Sequence, residues 1–114
     1  MDYQATLSHL LGLIGQPVRV EISAAVTSSI RATAGFIGVL QRGVSDPVIT
    51  TLSDDEAINF RVVPEGITDD RASWFVIPRD RFEGAVLVDG PLGQTLTIRA
   101  DGSDISIKLA PEAR

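Results

Sequence analysis

The chain has no cysteine and only one histidine in 114 residues. That excludes disulfides, zinc–thiolate centres, iron–sulfur clusters and a cysteine nucleophile, and it suits a reducing cytoplasm. Aromatic residues are scarce at 5% of the sequence, which leaves little material for a base-stacking platform. No long hydrophobic run exists. The stretch Leu10–Ile14 is far too short for a signal sequence or a membrane span, and Met1-Asp2-Tyr3-Gln4 carries no basic residue ahead of it. A soluble cytoplasmic protein with no membrane partner is therefore expected. An excess of positive charge is missing too, since the net charge is −5. Binders of nucleic-acid backbone are usually basic, so the balance disfavours such a partner, although a local basic patch can coexist with a negative total.

What the chain does have is alternation of apolar and polar residues, running from Val18-Arg19-Val20-Glu21-Ile22 to Ile105-Ser106-Ile107-Lys108-Leu109. Successive side chains of a strand point to opposite faces, so the pattern predicts sheet with one buried and one wet face. A helix over Tyr3–Ile14 comes first, with Leu7, Leu10, Leu11 and Ile14 as its apolar stripe and His9 nearly opposite. Asp2 is placed to cap it, Gly15 to end it and Pro17 to stop its continuation. Strands follow at Val18–Ser23 and Ile30–Gln41. Ala34, Gly35 and Gly38 mark a bend or a close backbone approach in the second. A third strand is expected at Val48–Leu52, an acidic loop at Ser53–Glu56, and a fourth strand through Ile58, Phe60 and Val62.

Trp74-Phe75-Val76-Ile77 is continuously apolar, which predicts a strand covered on both faces. Strand resumes from Phe82 through Ala85–Val88, and Asp89-Gly90-Pro91-Leu92-Gly93 is turn chemistry. For the last hairpin a register follows. With Asp101-Gly102 as the two-residue turn, Ala100 faces Ser103, Arg99 faces Asp104, Ile98 faces Ile105, Thr97 faces Ser106 and Leu96 faces Ile107. A slip of one residue would set isoleucine against aspartate. The tail Ala110–Arg114 is expected to fray.

The search for chemistry returns exclusions. There is no nucleophile elbow, no H-E-x-x-H, no dinucleotide or phosphate loop, and the lone histidine does not suggest a triad. Asp54-Asp55-Glu56 lacks the spaced ligands of a calcium loop. No catalytic residue, metal site or cofactor is expected. The candidate contacts are Arg79 and Arg81, flanking Asp80 after a proline stop, with Trp74 and Phe82 beside them. Two guanidinium groups there suit a carboxylate or phosphate.

The order of the helix, Leu13-Ile14-Gly15-Gln16-Pro17-Val18-Arg19-Val20, and Ala34-Gly35-Phe36-Ile37-Gly38-Val39-Leu40 resembles the start of Sm-like proteins. Trp74-Phe75-Val76-Ile77-Pro78-Arg79-Asp80-Arg81-Phe82 resembles their late strand and its arginine turn. The resemblance spans about residues 7–88 and implies a small, strongly bent barrel of the Sm-like or SH3-like kind. The base-holding aspartate and asparagine of that family are replaced here by Gly43-Val44-Ser45-Asp46-Pro47-Val48, so only Arg79 carries over. The expectation is a single all-β domain over residues 1–114, a barrel of about six or seven strands with one N-terminal helix and an extra C-terminal hairpin. Exposed sheet edges favour a non-enzymatic interaction or scaffolding module that pairs with itself or another protein. An RNA-binding Sm-like ring and a barrel binding a small anionic ligand are the alternatives.

Overall fold

The computed structural model describes residues 1–25, 27–43, 56–64, 72–91 and 93–110. The expected strand at Val48–Leu52, most of the acidic loop and the last residues of the tail lie outside them.

Helix α1 covers Tyr3–Leu11. Asp2 caps it as its position suggests, the carboxylate accepting a hydrogen bond from the Ala5 N–H at 2.8 Å. The helix is shorter than the expected span to Ile14. Beyond Leu11 the N–H groups of Leu13 and Ile14 bond three residues back, and the Gly15 N–H turns to the Leu40 carbonyl instead. Gly15 itself has φ +86°, the left-handed conformation expected of it. The buried stripe is Tyr3, Thr6, Leu7 and Leu10, while Leu11 is exposed and His9 is half-buried rather than opposite the sheet.

Seven strands follow: β1 (Pro17–Ala25), β2 (Arg31–Arg42), β3 (Ala57–Val63), β4 (Ser73–Pro78), β5 (Phe82–Gly90), β6 (Gly93–Ala100) and β7 (Ser103–Leu109). They form one antiparallel sheet in the order β4-β3-β2-β1-β7-β6-β5. The sheet is not closed: its two end strands, β4 and β5, are consecutive in the chain, joined by a single 3-10 turn at Arg79–Arg81. One side of it gathers a single core. Val18, Val20, Leu40, Phe60, Ile77, Leu96, Ile98 and Ile107 are all essentially inaccessible, and α1 packs its stripe into the same cluster.

Two local details match the alternation and the glycines. The β6–β7 register has Leu96 facing Ile107, Ile98 facing Ile105 and Arg99 facing Asp104, as expected. Asp101 (φ +51°) and Gly102 (φ +77°) form its turn. At Gly38, the Val63 carbonyl and the Pro64 nitrogen stand where a Cβ would project, so glycine permits β3 to approach β2 closely. Asn59 fastens the end of β2, its Nδ2 donating to the Gly43 carbonyl at 2.8 Å while the Gly43 N–H donates to the Asn59 carbonyl at 3.1 Å.

A further expectation is corrected in β4. The run Trp74–Ile77 is not covered on both faces: Phe75 and Ile77 point into the core, Trp74 is half-buried and Val76 is 39% exposed. β4 ends the sheet, and among the described residues its outward-facing side chains have no second layer of the kind that a continuous apolar run suggests.

Candidate functional site

The corner where β4 passes into β5 holds three of the four candidate contact residues. Pro78 ends β4 against Ala57, and the Arg79 N–H donates to the Glu56 carbonyl at 2.8 Å. The Arg79 guanidinium lies over the Tyr3 ring, 4.8 Å from its centroid. Tyr3 in turn meets Phe82 edge to face at 5.7 Å. Arg79 and Phe82 are thus brought together through a helix residue that was not among the candidates. Its signal was present, because Tyr3 lies on the same helical stripe as Leu7 and Leu10.

Arg81 points the other way. Its guanidinium pairs with Asp101 of the β6–β7 turn at 3.2 Å, and Glu83 accepts a hydrogen bond from the Gly102 N–H at 3.1 Å. Among the described residues the two cations of the corner thus meet different neighbours, Arg79 the Tyr3 ring and Arg81 the Asp101 carboxylate. Trp74 stands apart at the far end of β4, where the Arg61 guanidinium of β3 lies 6.0 Å from its ring centre. The four candidates do not converge on one cleft.

A second region draws attention at the β5 end of the sheet. β5 carries Val86 and Val88 on the wet face, 60% and 52% exposed. Its free side is partly occupied: the Met1 ammonium donates to the Ala85 carbonyl at 2.6 Å, and the Ala85 N–H donates to the Met1 carbonyl at 3.3 Å. Ala85 thus directs both backbone groups away from β6. By the alternation of a strand, Leu87 and Asp89 do the same. A shallow groove of about 420 Å³ runs over Gly84 beside this edge, lined by Met1, Val86, Thr97 and Arg99. Further across the wet face Asp104 takes two guanidinium partners, Arg99 at 3.2 Å and Arg31 at 3.6 Å.

Among the described residues no cluster of histidine, aspartate or glutamate is arranged to hold a metal ion, and no helix is long and apolar enough to cross a membrane. Comparison of the chain with protein-family models, curated proteins and solved structures finds no match.

Proposed function

We propose that this protein is a non-enzymatic interaction module that associates with itself through its sheet edges. The observation that carries the reading is the β5 edge: Ala85 bonds outward to Met1, strand alternation turns the backbone groups of Leu87 and Asp89 the same way, and Val86 and Val88 are exposed beside them. Such an edge is a template for another strand, and proteins that stay monomeric usually blunt it with charge, proline or a covering element. Here, among the described residues, Met1 covers it as far as Ala85.

The same reading takes the fold as a small barrel of the Sm-like or SH3-like kind. A leading helix, a second strand with a close approach at Gly38, and end strands joined by one 3-10 turn all suit it. The cysteine-free composition suits action in the cytoplasm.

Light scattering on a sizing column, with and without short single-stranded RNA and at two salt concentrations, tests the proposal. An oligomer indifferent to RNA supports it. A monomer that ignores RNA overturns it, and a ring with salt-sensitive RNA binding replaces it with the RNA-binding reading. Thermal-shift screening with anionic metabolites, wild type beside Arg79→Ala, tests the remaining alternative: a shift seen only in the wild type assigns the corner to a small anion.

A further inference from the structure

We propose that two copies of the chain pair through β5, antiparallel, about a two-fold axis passing at Val88. The inference rests on the self-association reading and specifies its geometry.

The length of the free edge fixes the register. Met1 occupies the outward groups of Ala85, and the Gly90–Gly93 pairing closes the hairpin with β6 at the other end. Between these limits Leu87 and Asp89 are the described residues that face outward. In an antiparallel pair, opposed residues that both face the partner exchange N–H and C=O groups. An axis at Val88 sets Leu87 opposite Asp89 of the second copy, and Asp89 opposite Leu87, so both outward residues of both copies are used. An axis at Leu87 would send Asp89 to Ala85, whose groups are taken. An axis at Asp89 would set the two aspartates directly opposite each other, which is unfavourable.

The side chains agree with the same axis. Val88 meets its own counterpart on the wet face, and Val86 stands opposite Gly90, where the absence of a side chain leaves room. The pairing covers two of the most exposed large apolar residues in the described part of the molecule. It also keeps the paired aspartates on a diagonal rather than face to face. A contact this short lies at the small end of protein interfaces, so the dimer is expected to be weak and concentration-dependent.

Because the chain has no cysteine, single introduced thiols report the register cleanly. Val88 would face its counterpart in a non-hydrogen-bonded pair with Cα atoms about 4.5 Å apart, within disulfide range. Val88→Cys should therefore oxidise to a covalent dimer, whereas Val86→Cys, displaced from its own counterpart by several residues, should stay largely uncrosslinked. Val88→Lys, which leaves the core untouched, should lose the dimer while keeping the wild-type circular dichroism. Equal crosslinking of both thiols overturns the register, as does preferential crosslinking of a Val76→Cys and Val88→Cys mixture. A wild type that is oligomeric by light scattering but gives no Val88 crosslink overturns β5 pairing and leaves self-association standing. A wild type that is monomeric throughout overturns both.

Discussion

The β6–β7 hairpin and the corner from β4 to β5 are both short, polar connections, and they are held in place by different kinds of partner. In the hairpin the contacts that set the register lie within a few residues of the turn. Ile98 faces Ile105, Thr97 Oγ1 lies 3.4 Å from Ser106 Oγ, Arg99 bonds Asp104, and Asp101 and Gly102 take the positive φ that the turn requires. At the corner the partners come from distant parts of the chain: Tyr3 under Arg79, Glu56 behind its N–H, and Asp101 against Arg81. Local pairing sets a register. Long-range pairing sets how the ends of a sheet are brought to one place.

Substitutions should separate the two regions by size of effect. Ile98→Ala removes a fully buried side chain from the hairpin's core face, and a loss of about 2–5 kcal/mol, read as a lower urea midpoint, is expected. Gly102→Ala places a Cβ on a residue at φ +77°; about 1–2 kcal/mol should be lost, with the core intact. At the corner, Arg79→Ala gives up the contact with the Tyr3 ring, and a cost of about 0.5–1 kcal/mol is expected. Arg81→Ala breaks an ion pair whose side chains are 58% and 70% exposed. Screening by solvent holds its effect to about 0–1 kcal/mol, and added salt should shrink it further. A corner variant that destabilises as much as Ile98→Ala would erase the distinction.

This difference also explains what could be read from the residues. The alternation and the Asp-Gly turn supplied the β6–β7 register down to each pair, and Asp2, Gly15 and Gly38 were each recognisable by the conformation or space they provide. Helix α1 ends at Leu11 rather than Ile14, and beyond it the Gly15 N–H bonds Leu40, a residue of β2 that the local sequence does not point to. Val76 is exposed because β4 lies at the end of the sheet, a fact of strand order that the composition of Trp74–Ile77 does not encode. The candidates Arg79, Arg81 and Phe82 were legible as a charged turn beside an aromatic. Their separation onto Tyr3 and Asp101 was not, since it depends on where α1 and the last hairpin lie. The β5 edge was legible only as a generic exposed edge. Its reach is set by Met1, and nothing in the sequence links that residue to Ala85.

The central claim, self-association through β5, is tested most directly by light scattering of the wild type and Val88→Lys over a wide concentration range. The wild-type mass should rise towards that of a dimer with concentration while the variant stays monomeric. A wild type that remains monomeric at every concentration, or a variant that associates equally well, would contradict it.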